Sequence, residues 1–510
     1  MTNPATTSLW NATAHRSTRR SAAPGTATRY DAIVVGAGVV GLTTALQLGR
    51  EGRSVLVLEA REVGSGVTGS TTGKVTAAHG LRYSLLRRDI GAERTRLYAQ
   101  ANQHAVGWIR DLIMTEELAC DWRDRPAFTY TSDPSQRGTL EDEARATIEA
   151  GLPAHEVHAV PAPTRLVAGV RVDGGGELHG PNYCLGLAHL AEHAGATIAE
   201  GVRVTGVREG APCRVQTQDA GTFEAEHVVI ATHVPILDRG LYFARLEPQR
   251  SYAIAARVGH ALPLGSFYDV AEPSRSVRTA TGPDGEELVV VGGEGHGVGK
   301  VSDTAERYAR LEAWSAEQLG TGEVTHRWSS QDPQTPDRAP YVGPLRPGST
   351  RLWTATGFGK WGLSAGTAAA HAIAGSIAGR SDEYAALWNP SRLGQLKPRA
   401  AARLALWNTE TPLFLVGDRL RPARRGGVGE LQPGEGRVVR HDGRRTAAFR
   451  DEEGVVHAHS PLCTHLGCEV HFNGAEQSWD CPCHASRFDA RDGSVLEGPA
   501  VQPLAPRDAG

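Results

Sequence analysis

Apolar positions in this chain come first as short unbroken runs. DAIVV at 31–35 and SVLVL at 54–58 have the length and β-branched character of strands buried on both faces. Between them LTTAL at 42–46 carries a helical apolar repeat, after the glycine-rich GAGVVG at 36–41. Strand, glycine turn, helix, strand within about thirty residues is a βαβ unit. Strand-like runs return as VVIAT at 228–232, LVVVGG at 288–293 and LWTATG at 352–357, and residues 367–377 read as a helix. Strands this far apart predict one α/β domain with other material inserted. Residues 396–410, with Lys397, Pro398, Arg399 and Arg403, read as a linker between a first domain at 30–395 and a last one at 411–510. Past the linker, short β-type runs at 437–440, 446–449 and 454–456 alternate with glycine turns, which predicts a small all-β module.

Composition narrows the function. The 510 residues allow two or three domains, and a net charge of -3 argues against nucleic acid or an anionic membrane as partner. No apolar run reaches the ~18 residues of a membrane span. Residues 1–29 contain no acid, carry Arg16, Arg19, Arg20 and Arg29, and predict a disordered tail. No apolar region follows Arg19 and Arg20, so no export signal is read and a cytoplasmic location is expected. Cys120, Cys184 and Cys213 then read as ordinary thiols.

The glycine motif sits where a dinucleotide site needs it, after a strand and opening a helix. Gly36 allows the tight turn, Gly38 lets the backbone approach a pyrophosphate, and Gly41 permits close helix–strand packing. The anion would rest on the helix N-terminus, and Glu59, closing the second strand, would accept from ribose hydroxyls. The loop GSGVTGSTTGKVTAAHG at 64–80, with Thr71, Thr72 and Lys74, suits a long cofactor such as FAD. With DRAPYVG at 337–343 and TGFGKWGLSAG at 356–366, residues 30–390 resemble the D-amino-acid-oxidase superfamily of flavoproteins. The resemblance implies an α/β, Rossmann-like FAD-binding domain with an inserted α+β substrate domain. It also implies a late flavin loop holding Gly357, Gly359, Lys360 and Gly362.

CTHLGC at 463–468 and CPCH at 481–484 concentrate four of the seven cysteines beside two histidines. Three readings compete: a Cys₂His₂ zinc site, a disulfide-stapled module, and a Rieske [2Fe–2S] centre with two cysteines on one iron and two histidines on the other. Both loops resemble the Rieske family. That resemblance implies Cys463, His465, Cys481 and His484 as cluster ligands, a Cys468–Cys483 disulfide and a small all-β Rieske domain. It places Ser486 as a donor to a bridging sulfur, Phe488 where a tyrosine is common, and residues 498–500 as a covering loop. A lost hydroxyl at Phe488 predicts a somewhat lower potential than in cytochrome bc-type proteins.

The whole chain after residue 29 resembles FAD-dependent oxidoreductases with a C-terminal Rieske domain. A flavin handles two electrons and a cluster one, so fusion suits a relay. The expected activity is dehydrogenation of a small amine or amino acid, with electrons relayed to an acceptor or partner protein. An electron-transfer protein serving a partner enzyme and a hydroxy-acid oxidase are the alternatives. Lys360 would stabilise negative charge on the flavin. Arg250 would clamp a carboxylate with Tyr252 nearby, and His296 would be a general base. His79 is a candidate for covalent flavin attachment. Each competes with a structural role. Arg419, Arg421, Arg424, Arg425, Arg437, Arg440, Arg444, Arg445 and Arg450 form a basic stretch that would steer the last domain toward an acidic face, or simply be solvated.

Overall fold

The computed structural model describes residues 6–16, 29–380, 383–420 and 427–508. The βαβ unit forms as its pattern predicts: strand Arg29–Val35, helix Val39–Arg50, strand Val55–Leu58. Strand Arg29–Val35 pairs in parallel with Val55–Leu58 on one side and Thr222–Ile230 on the other. Strand Leu352–Thr356 joins Thr222–Ile230, again in parallel. Helix Gly362–Ile377 lies against helix Val39–Arg50 and buries its alanine-rich length. Both faces of this sheet are therefore covered, which is why its strands are apolar throughout.

A second, mostly antiparallel sheet of eight strands forms the inserted domain. Strand Glu287–Gly297 lies in it, between Glu247–Val258 and Arg275–Thr281. The run at 288–293 thus belongs to the inserted sheet, not to the dinucleotide fold as the pattern suggests. Val289 and Val291 enter one core and Leu288 and Val290 another, so alternation gives no polar face to betray it. After residue 430 come a three-stranded and a four-stranded antiparallel sheet, the all-β module expected.

Two boundaries need correction. Residues 6–16 are not a disordered tail: Leu9–Thr13 is a short helix capped by Ser8, with Leu9 and Trp10 buried against the inserted sheet. Residues 1–5 and 17–28 lie outside the described residues. The linker is helical, since Pro398–Leu420 is one helix with Pro412 inside it. Arg403 from this helix bonds Asp89 at 3.2 Å, so the segment is anchored to the first domain. Among the described residues, no helix is long and apolar enough to cross a membrane.

Candidate functional site

One cavity of about 350 Å³ runs from the glycine turn to the inserted sheet. At its dinucleotide end each glycine has its own reason. Gly36 sits at φ +106°, and a Cβ there would meet the Ala231 carbonyl oxygen at 2.6 Å. A Cβ on Gly41 would lie 1.9 Å from the Gly36 oxygen, so this glycine is demanded by helix–strand contact. Gly38 has ordinary φ, faces the cavity, and would meet only Thr68 Oγ1 at 3.4 Å. Helix Val39–Arg50 starts there without a side-chain cap, leaving N–H groups for an anion. The carboxylate of Glu59 accepts from the backbone N–H of Ala37 at 2.8 Å and of Arg61 at 2.9 Å, which fixes it at the cavity wall. An uncapped helix start, an open glycine and a held carboxylate fit the pyrophosphate and ribose of FAD.

The loop over the cavity is held down by the N-terminal segment. Ser8 Oγ donates to Gly69 O at 2.6 Å, Trp10 Nε1 to Thr71 O at 2.6 Å and Arg16 to Val63 O at 2.6 Å. Thr71, Thr72 and Lys74 all line the cavity. Burial, then the nearby Arg278 guanidinium, lowers the Lys74 ammonium to about 7. Its Nζ donates to Thr72 Oγ1 at 3.4 Å. Arg278 is itself buried, bonded to the carbonyls of Thr72 and Gly73 and 3.6 Å from Glu177. Sequence reasoning missed Arg278 and Trp10; a lone arginine and a tryptophan in a polar tail carry no motif.

The remaining candidates divide. Lys360 and Tyr252 line the cavity, as do Trp361 and Gly362. Lys360 Nζ donates to Ser251 Oγ at 2.5 Å and lies 3.8 Å from Asp332. Its φ of +78° is unusual for a non-glycine residue. Five candidates are redirected. Arg250 is fully buried away from the cavity lining, held by Ser329 Oγ at 2.5 Å and Gln331 Oε1 at 2.8 Å, so it does not clamp a carboxylate there. His296 Nδ1 donates to the Gly297 carbonyl at 2.8 Å, which leaves Nε2 to accept from Tyr252 Oη at 3.0 Å. Burial lowers its pKa to about 4, so it is a neutral prop for Tyr252 rather than a base near neutral pH. His79 is buried, stacked on Trp361, with Nδ1 bonded to Tyr98 and Nε2 to Thr76 and Ser364. Gly357 and Gly359 lie behind the lining, where a Cβ would strike Thr335 at 2.4 Å and Arg82 at 2.7 Å.

In the last domain the two Cys–His loops meet. Cys481 interacts with Cys463 and lowers its thiol to about 7, with Ser486 acting in the same direction. The rings of His465 and His484 stand 5.1 Å apart. The disulfide Cys468–Cys483 ties the loops, as the resemblance implied. Among the described residues, Nδ1 of His465 is buried without a hydrogen-bond partner. An orphaned imidazole nitrogen beside two thiols costs stability unless something coordinates it, which fits a two-cysteine, two-histidine cluster. Phe488 is fully buried in the same core as Cys463 and Cys481.

Residues 31–375 match the family model for FAD dependent oxidoreductases. The chain belongs to that family. Residues 424–506 of this oxidoreductase match the Rieske [2Fe-2S] domain, so FAD and a [2Fe-2S] cluster are its cofactors. It is 31% identical over 479 residues to YhfW, a Rieske 2Fe-2S iron-sulfur protein of Bacillus subtilis (strain 168), covering 94% of this chain and 93% of that one. Glycine oxidase of Geobacillus kaustophilus is 27% identical over 348 residues, 62% of this chain and 84% of that one. Its crystal structure superposes with a TM-score of 0.60 at 20% identity, covering 72% of this chain and 99% of that one. The Rieske part is 45% identical over 67 residues to the cytochrome b6-f complex iron-sulfur subunit 1 of Synechocystis sp., 13% of this chain and 32% of that one.

The Rieske domain of the oxidoreductase is docked against its flavin domain. Leu496, Glu497, Gly498, Ala500 and Val501 form part of the cavity wall, so the loop expected to cover the cluster also covers the flavin site. Arg203 Nη2 donates to Val495 O at 3.0 Å, Tyr308 Oη to Glu476 at 2.7 Å, and Arg250 lies 3.9 Å from Asp480. A Cβ on Gly299 would meet Pro482 N at 2.7 Å, so the flavin domain touches the CPCH loop backbone to backbone. The basic stretch does not act as one face. Arg437 pairs with Glu435 at 3.6 Å and Arg445 with Glu469 at 2.5 Å, while Arg450 donates to Gly454 O; Arg440 and Arg444 are exposed. Of the rest, Arg421, Arg424 and Arg425 lie outside the described residues, as does the side chain of Arg419.

Proposed function

We propose that this FAD-dependent oxidoreductase dehydrogenates a small amine or amino acid and passes the electrons singly through the Rieske cluster to an acceptor in the cytoplasm. The observation that carries this reading is the single cavity walled by the dinucleotide fold, the inserted sheet and the Rieske loop at 496–501. Bound FAD supplies a hydride acceptor and the cluster a one-electron acceptor. The inserted sheet supplies one wall of the cavity through Tyr252, Ser276 and Gly292. Lys74, with its ammonium destabilised to about 7, is available as a neutral amine to take the proton of a charged amine substrate. Tyr252, held by His296, offers a hydroxyl at the wall. Lys360 places a positive charge there, positioned by Ser251 and Asp332. The name of the related glycine oxidase supports amino-acid chemistry.

The test is anaerobic mixing with a panel of amines, amino acids and hydroxy acids, following flavin bleaching and the cluster's reduced-state EPR signal together. Bleaching by an amine or amino acid, followed by the EPR signal, is the expected result. If no organic compound bleaches the flavin, the dehydrogenase reading is lost and the protein serves as an electron carrier. Bleaching by hydroxy acids alone would move the activity to alcohol oxidation.

A further inference from the structure

The cavity wall and the edge of the cluster site share one piece of chain. Ala231, Thr232, His233, Val234 and Ile236 line the cavity. Two residues beyond Ile236, Asp238 Oδ1 lies 2.7 Å from Nε2 of His465. Two residues of extended chain span at most about 7 Å. Phe243, on the same segment, stands edge-on to both imidazoles, with centroids 5.2 Å from His465 and 4.9 Å from His484. A second strut runs beside the first. His233 Nε2 donates to the Gln331 carbonyl at 2.7 Å, and the buried Gln331 amide donates to Ala485 O at 2.9 Å, next to His484. Thr356 Oγ1 holds the His233 carbonyl at 2.6 Å, and His233 keeps a φ of +65°. The segment is therefore fixed at the cavity and ends on the two histidines.

We propose that residues 231–243 are the electron bridge between the FAD cavity and the cluster, with the Asp238–His465 hydrogen bond as its last link. This rests on the relay reading above. Each transfer would take one electron from the reduced flavin and reduce one cluster iron from Fe(III) to Fe(II). No bond of the bridge is made or broken, and any proton released at FAD leaves to water at the cavity. Asp238 is a positioning residue: it holds the imidazole edge against the flavin domain and touches no substrate.

A blue-light pulse on bound FAD, with EDTA as electron donor, tests this without an organic substrate. The readout is the rate at which cluster absorbance follows flavin reduction, with iron and FAD content and the EPR line shape recorded for each variant. Asp238→Ala is expected to slow the transfer by about tenfold, equivalent to about 1.4 kcal/mol of barrier. Asp238→Asn keeps the acceptor oxygen and is expected to restore most of the rate. Phe243→Leu, which leaves Asp238 in place, gives a second measure should Asp238→Ala lose its cluster. A double variant, cluster and FAD intact, that transfers as fast as the wild type overturns the bridge. A wild-type cluster that photoreduced FAD never reduces overturns the relay reading itself.

Discussion

A single methyl group separates Gly38 from Gly41. At Gly41 it would sit 1.9 Å from a backbone oxygen that cannot move without breaking the turn. At Gly38 it would touch only a threonine hydroxyl at 3.4 Å and protrude into the cavity. Gly41→Ala is expected to yield little folded protein, whereas Gly38→Ala should fold with near-normal circular dichroism and lose FAD on gel filtration. A Gly38→Ala protein that keeps full FAD content would remove Gly38 from the cofactor contact. Lys74 gives a prediction in pH. Its ammonium is lowered to about 7, so the cavity gains a positive charge as pH falls through that value. The flavin absorbance should shift with a midpoint near there, and Lys74→Met should abolish the shift while leaving FAD bound.

At the scale of elements, the short N-terminal helix is a clamp on the cofactor loop. Trp10 combines a buried ring with a hydrogen bond to Thr71 O, and the Arg278 guanidinium lies 5.2 Å over it. Trp10→Ala should cost about 3–5 kcal/mol, read as a lower Tm and faster FAD loss. An unchanged FAD off-rate would confine Trp10 to packing. The clamp is tied down by His179, whose Nδ1 accepts from Asn182 N at 3.2 Å to cap helix Gly180–His193, leaving Nε2 to bond Thr13 Oγ1 at 2.9 Å. Accepting at Nδ1 requires the neutral ring, and burial lowers its pKa to about 4. The unfolded histidine titrates near 6.5 and binds more protons between these values. The contribution is complete above about pH 6.5 and is lost as pH falls toward about 4, up to about 3 kcal/mol. Thermal melts between pH 7 and pH 4.5 should show this slope, and His179→Asn, which can cap but not titrate, should flatten it.

In the whole molecule, the docked Rieske domain decides how electrons would leave. The contacts across the interface include the Arg250–Asp480 pair, with side chains 0% and 4% exposed, and backbone contacts at Gly299 and Ala485. Buried pairs are little screened, whereas surface attraction fades within a Debye length of about 8 Å at physiological salt. Transfer from photoreduced FAD to the cluster should therefore change less than about twofold between 0.05 and 0.5 M salt. A steep fall with salt would mean that the domain docks from solution through its exposed arginines. Helix Pro398–Leu420 and the Arg403–Asp89 contact favour the fixed arrangement.

Much of this protein was legible in one dimension, because local chemistry requires it. A turn at Gly36, a helix against it at Gly41 and an acid at Glu59 are set by residues close in the chain, and so is each Cys–His loop of the Rieske site. The assignment of LVVVGG at 288–293 was not legible, since a strand covered on both faces reads alike in either sheet. Nor was the fate of Arg250 and His296, whose partners Ser329, Gln331 and Tyr252 are brought to them by strand register. The tail that became a clamp, and the Asp238 carboxylate that met His465 across 227 positions, carry no local signal. Motifs reveal chemistry whose residues must be neighbours in sequence; which domain faces which, and what closes the cavity, depends on contacts between distant segments, which only the folded chain assembles.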